Sequence, residues 1–208
     1  KGPIYLGKDV IIMEGAKIQG PFAILEGSVV NLDGKMRPNT TIGPGCKVGG
    51  EVSNVVIFGN SNKGHEGFMG NSVIAEWCNW GADTNNSNLK NDYSKVELWS
   101  YVTNRFENSG LQFAGLIMGD HSKCGINTMF NTGTVVGINC NIFGADFQPK
   151  HIPSFAWGGS AGFKTYHLRK ANQVARAVLE RRGRVFEGIE ENILKAVFEQ
   201  TEAHRSAF

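Results

Sequence analysis

Tyr5-Leu6-Gly7-Lys8-Asp9-Val10-Ile11-Ile12 opens the stretch that decides the fold, residues 5–52. A bulky apolar residue returns at every sixth position: Leu6, Ile12, Ile18, Ile24, Val30, Met36, Ile42 and Val48. Four places after each comes a mostly small or apolar residue: Val10, Ala16, Phe22, Ser28, Gly34, Thr40, Cys46 and Val52. A period of six fits neither a helix at 3.6 nor a simple strand at 2. It is the hexapeptide repeat of a parallel β-helix. Three hexads make one triangular coil, so Leu6 stacks under Ile24 and Ile24 under Ile42. Successive coils pair their backbones at about 4.8 Å. The bulky residue points into the prism, the small one sits inside near a corner, and Gly or Asn turns the corner.

The totals agree with this architecture. The chain has 208 residues, enough for one or two domains, and 27 of them are Gly, about twice the usual share and suited to many corners. A net charge of +2 implies no strongly acidic or basic partner. The sequence has no apolar run long enough to span a membrane and no signal peptide, so a soluble cytoplasmic protein is expected. The four Cys form no C-x-x-C pair; Cys46, Cys78, Cys124 and Cys140 fall on interior positions and read as buried free thiols.

The repeat slips after Val48 and returns at Met69, Ile74 and Trp80. The polar Gly/Asn segment 59–67 between them is expected to be a loop or irregular corner. Residues 89–114 break the repeat, with Tyr93, Trp99, Tyr101 and Phe106 among charges. An insertion of this length is either functional or a flap whose aromatics pack on a neighbouring subunit. Met118, Cys124, Phe130, Val136 and Ile142 restore the six-residue step. About sixteen hexads give five to six coils, a prism roughly 25–30 Å tall. Residues 147–163 are read as leaving the prism. Beyond them the period becomes 3.6, with one apolar face from Leu168 to Leu179 and a second from Phe186 to Phe198. These are two amphipathic helices. Their Arg169, Arg176, Arg181, Arg182 and Arg184 are expected to be solvated, and nothing points to a nucleic-acid partner. The domain reading is a prism over 1–163, with the insertion at 89–114, and a helical extension over 164–208. The chain begins in mid-repeat, and an open prism end needs a cap, so a longer protein is expected.

Several segments carry a specific resemblance. They are Lys35-Met36-Arg37-Pro38, Val48-Gly49-Gly50-Glu51-Val52 and Lys63-Gly64-His65-Glu66-Gly67-Phe68-Met69-Gly70-Asn71. Cys78-Asn79-Trp80-Gly81-Ala82-Asp83-Thr84 and Asn88 complete the set. Together they resemble the acetyltransferase half of the bifunctional N-acetylglucosamine-1-phosphate uridylyltransferase/glucosamine-1-phosphate acetyltransferase family. The chain is similar, more closely still, to sugar nucleotidyltransferases that carry such a prism after an N-terminal nucleotidyltransferase domain. The resemblance implies a left-handed β-helix, against the usual crossover rule, and a homotrimer with sites between prisms.

The resemblance also implies roles. His65 matches the general base that takes a proton from a sugar amine as it attacks the thioester of acetyl-CoA, a task suited to imidazole. Arg37 matches a sugar-phosphate-binding Arg, and its guanidinium suits a phosphate. Asn79 and Asn88 match substrate contacts, Phe68 takes the place of a binding Tyr, and Ala82 matches a backbone position beside acetyl-CoA. The sequence departs from the family at Ser53 and Ser94, which replace Lys, and at Leu89, which replaces Tyr. The substrate is therefore open between an amino sugar phosphate and a nucleotide sugar. No metal is expected: the closely spaced His pair of a prism-type zinc enzyme is missing from the sequence. His121, His151, His167 and His204 are read as non-functional. Two functions stand: an acetyl-CoA-dependent N-acetyltransferase, or a non-catalytic module that trimerises a nucleotidyltransferase or binds a regulatory sugar phosphate. The site expected is a cleft of His65, Asn79 and Asn88 with Arg37 beside it.

Overall fold

The computed structural model describes residues 2–206. They form a left-handed parallel β-helix followed by helices. The strand columns hold Ile4–Leu6, Phe22–Ile24, Thr40–Ile42, Val56–Ile57, Val73–Ile74, Leu116–Met118, Thr134–Val136 and His151–Ile152 on one face. A second face stacks the same number, from Ile11–Ile12 to Ala156–Gly159, and Gly162–Thr165 returns antiparallel along its top. The prism thus has eight coils, not five or six, and is about 34 Å tall at the usual strand spacing. Three of these coils escape a strict count of hexads because they are short. Ile57 stacks on Ile42, Ile74 on Ile57 and Ile152 on Val136, in each case before three full hexads have passed.

Ile24, Val30, Met36, Ile42 and Val48 are fully buried, as the six-residue step requires. Leu6 and Ile12 lie in the same columns but remain 50% and 37% exposed. Among the described residues no coil covers the first one, so its interior side chains meet solvent. The small positions do more than leave room. Ser28, Ser61 and Ser122 each donate from Oγ to a carbonyl of the next coil, at Gly43, Ala75 and Gly137. Each also accepts the N–H of Cys46, Cys78 or Cys140 at 2.9 Å. Buried corner groups are paired in this way at three levels. Asn39, Asn54, Asn60, Asn71, Asn127 and Asn139 all hold positive φ at corners. All four Cys are free and buried.

Segment 59–67 is not a loop outside the repeat. Asn62–Lys63 is a strand of the second face, and Lys63 takes the interior place above Val48. Residues 151–159 likewise stay in the prism as the eighth coil. The insertion is an antiparallel hairpin of Glu97–Ser100 and Arg105–Asn108. Its aromatics pack on their own chain: the Trp99 ring stacks on His151 at 4.1 Å and meets Phe106 edge-on. His204 closes the cluster against Tyr101 at 5.2 Å.

The two expected helices are α1 (Leu168–Glu180) and α2 (Gly188–Gln200), with a further turn, α3 (Glu202–Arg205). They bury Ala171, Ala175, Leu179 and Leu194 against Phe155 of the last coil, with Trp77 and Ile138 alongside. Arg182, expected to be solvated, is docked instead, and Arg205 is docked as well. Arg182 donates to the Gly45 carbonyl at 2.6 Å and to Asn62 Oδ1 at 3.0 Å. Arg205 is buried and donates to the carbonyls of Ser154 and Phe198. Arg176 bonds the Phe186 carbonyl and faces Glu191. No helix of the described residues is long and apolar enough to cross a membrane.

Candidate active site

The floor of the site is a column of outward side chains on the second face. Lys47, Asn62, Asn79 and Lys123 come from four successive coils and lie in register. One wall is the corner that follows, with Gly64, His65, Ala82 and Ile126; the other is the end of α1, with Val178, Arg181 and Arg182. Together they enclose a groove of about 880 Å³. A groove of this size is ample for a nucleotide-sized ligand.

Lys63 shapes the corner from inside. Its side chain is 2% exposed, yet it ends in an amine rather than a methyl. Nζ donates to the carbonyls of His65 at 2.8 Å, Gly49 at 3.2 Å and Glu66 at 3.3 Å. Burial pushes this amine down to about 8, against a partial upward pull from Glu66. From outside, Asn31 Nδ2 donates to the Gly64 carbonyl at 2.7 Å. The turn Gly64-His65-Glu66 is therefore pinned at every residue, and His65 is exposed and lines the groove. Sequence reasoning missed Lys63 because a lysine inside a prism looks like a loop residue; its only signal was the polar break in the six-residue step.

The expected residues divide between two sides. His65, Asn79 and Ala82 share the groove. Asn88 does not line it; its Nδ2 donates to Asn71 Oδ1 at 2.7 Å beside the insertion. Arg37 also lies elsewhere, on the third face, where Nη1 bonds Glu51 Oε1 at 2.9 Å. Phe68 is on that third face too, with its N–H held by Asn85 Oδ1 at 2.7 Å. The convergence of Arg37 and Asn88 on His65 is thus not met within one chain, because the prism corner at 64–67 separates the two faces. Next to Phe68, Asn86 imitates a strand backbone: it accepts from Gly70 N–H at 3.0 Å and donates to the Gly70 carbonyl at 2.9 Å.

The groove has no thiol nucleophile to offer. Cys78 lies at its base, but burial pushes its thiol well above the ordinary range. Among the described residues no group of three or more His, Cys, Asp or Glu is placed to hold a metal ion. What remains is an accessible imidazole beside amide and cationic groups.

No family model matches the chain. A bifunctional sugar-1-phosphate nucleotidylyltransferase/acetyltransferase of Sulfurisphaera tokodaii is 33% identical over 145 residues, 69% of this chain and 36% of that protein. The bifunctional protein GlmU of Methanocaldococcus jannaschii is 36% identical over 107 residues, 50% of this chain and 26% of that protein. The chain is a relative of the bifunctional sugar-1-phosphate nucleotidylyltransferase/acetyltransferases. It spans between about a quarter and about a third of the length of these two relatives. An uncharacterized acetyltransferase of Escherichia coli, YaiX, is 26% identical over 74% of this chain and 66% of its own length.

Proposed function

We propose that this chain is the acyl-transfer part of a sugar-nucleotide enzyme. It would move an acetyl group from acetyl-CoA to the amine of an amino sugar phosphate or nucleotide sugar. The observation that carries this reading is that His65, exposed on a turn held by Lys63, lines one groove with Asn79 and Ala82. The names of the relatives support it.

In this reading the sugar amine attacks the thioester carbonyl carbon while His65 takes a proton from the nitrogen. The C–S bond then breaks, and the leaving thiolate receives that proton from the His65 imidazolium. The products are an amide and the CoA thiol. Backbone N–H groups at the corner would face the oxyanion.

The proposed assembly is a homotrimer. The outward row Val56, Val73 and Ile117 on the first face is about 40% exposed, and Leu111 and Phe113 of the insertion extend it. A stripe of this kind suits a neighbouring prism. Such a neighbour could set the face of Arg37, Phe68 and Asn88 against another copy's groove. Light scattering of the wild type and of Val73→Lys tests this: a trimer that Val73→Lys dissociates supports it, and a monomeric wild type overturns it.

A second reading draws on Arg37, which is engaged by Glu51, and Asn88, engaged by Asn71. With these groups occupied the prism could be a non-catalytic trimerisation or sugar-phosphate-binding module of a nucleotidyltransferase. One assay separates the two: CoA thiol release from acetyl-CoA over a panel of amino sugar phosphates and nucleotide sugars. Turnover that falls in His65→Ala supports the enzyme, and no turnover with any acceptor supports the module.

A further inference from the structure

The lining of the His65 groove carries four cations, Lys47, Lys123, Arg181 and Arg182, and no carboxylate among the described residues. Elsewhere on the surface the cations are often matched: Lys35 faces Glu66, Arg37 faces Glu51, and Arg176 faces Glu191. In the groove they are not matched by charge. Arg182 is engaged by a carbonyl and an amide oxygen, and Lys123 donates to the His121 carbonyl at 2.9 Å. Like charges gathered without counter-charge repel each other, and an anion relieves that repulsion.

Two of the four come from the end of α1, beyond the hexad repeat. Arg182 is the anchor. Its two bonds reach coils three and four at Gly45 and Asn62, and so fix the last turn of the helix across the prism face. Arg181, the neighbour in sequence, is exposed at the mouth of the same groove. Lys47 is exposed on the floor one register place from Asn62.

We propose that the end of α1 is part of the ligand site: Arg181, with Lys47 and Lys123 across the groove, binds a phosphate or diphosphate group, and Arg182 positions Arg181. The assignment of that phosphate to a substrate rests on the transfer reading above; the anion site itself does not. The phosphate chemistry has two sources, the phosphates of coenzyme A and the phosphate of an amino sugar. A guanidinium serves both through forked hydrogen bonds.

The test is calorimetric titration of the full chain with three probes: inorganic pyrophosphate, coenzyme A and glucosamine 1-phosphate. Arg181→Ala and Arg181→Glu are compared with the wild type, with Arg169→Ala at the far end of α1 as the control. Arg181→Ala should weaken pyrophosphate binding about tenfold, Arg181→Glu more, and Arg169→Ala not at all. Whichever of the other two probes loses affinity in step identifies the source. Pyrophosphate that does not bind the wild type, or binds all four proteins alike, overturns the proposal. Arg181-dependent pyrophosphate binding without binding of either other probe keeps the anion site and removes the transfer reading.

Discussion

Residues 22–48 and residues 51–88 build the same triangular coil with different interiors. In the first region the columns hold Ile24, Val30, Met36, Ile42 and Val48, all fully buried, and each coil is three full hexads long. In the second the coils fall short of three hexads, and Lys63, Thr84 and Asn86 stand inside. The first region is stabilised mainly by contact between apolar side chains. The second keeps such contact at Val52, Ile57, Met69, Ile74 and Trp80 and adds hydrogen bonds from Lys63, Thr84 and Asn86 to carbonyls. The candidate site lies against the second. A corner that must hold a side chain at a fixed angle gains from directional bonds, which apolar packing does not supply.

The largest effect should come from His65→Ala, on the polar side of this comparison. Acetyl transfer should fall by about 10²–10⁴, the usual worth of a general base, with unchanged melting temperature and substrate affinity. Equal turnover by the variant would place the chemistry elsewhere. Ile42→Ala is the counterpart in the apolar region. It should cost about 2–5 kcal/mol in urea unfolding, since the cavity opens between stacked Ile24 and Ile57. At temperatures where it stays folded, its turnover should match the wild type.

Lys63→Met joins the two halves of the comparison by making the second interior resemble the first. The folded amine titrates at about 8 and the ordinary one at 10.5. Between these values the unfolded chain holds a proton that the folded chain has lost, so this group's contribution to stability rises with pH across the window. The rise should be about 3 kcal/mol and should vanish in Lys63→Met. Unfolding curves at both ends of that window for both proteins measure it, and parallel behaviour would show that Lys63 is not buried. Turnover of this variant should also drop, because the His65 and Glu66 carbonyls lose their tether. Arg37→Ala should change least: Arg37 is exposed and its carboxylate partner partly so, and stability should move by under about 1 kcal/mol. Weaker binding of a sugar phosphate without a change in turnover rate would confirm its proposed role on the third face.

The same contrast explains what could be read from the sequence. Where interior residues are apolar and evenly spaced, from Ile24 to Val48 and from Met118 to Ile142, the period identifies fold and burial together. Lys63 and Asn86 could not be read this way, since a polar residue at an interior place is indistinguishable from a loop residue until its carbonyl partners are known. The eighth coil was hidden because Ile152 reaches Val136, and Gly158 reaches Ile142, before three hexads are complete. Of the candidate site, the family resemblance named His65, Asn79 and Ala82, which line the groove, together with Asn88 and Arg37, which do not. The α1 wall was not legible, because the contact of Arg182 with Gly45 spans 137 residues and leaves no periodic trace.

The insertion at 89–114 is placed so that it leaves the register of the prism undisturbed. Ile74 pairs with Met118, Asn79 with Lys123 and Asn86 with Phe130; each separation is one full three-hexad coil plus the length of the insertion. Its two ends touch: Ala114 N–H donates to the Asn88 carbonyl at 3.0 Å, and Leu89 bridges Phe113. The chain therefore leaves the prism and re-enters at one point, and the next coil does not have to find its partner across an open loop. In topological terms the hairpin is a graft on one edge. With Asn88 joined directly to Gly115 the strand columns would run on without a break, and what would be lost is the packing of Trp99 on His151 and His204.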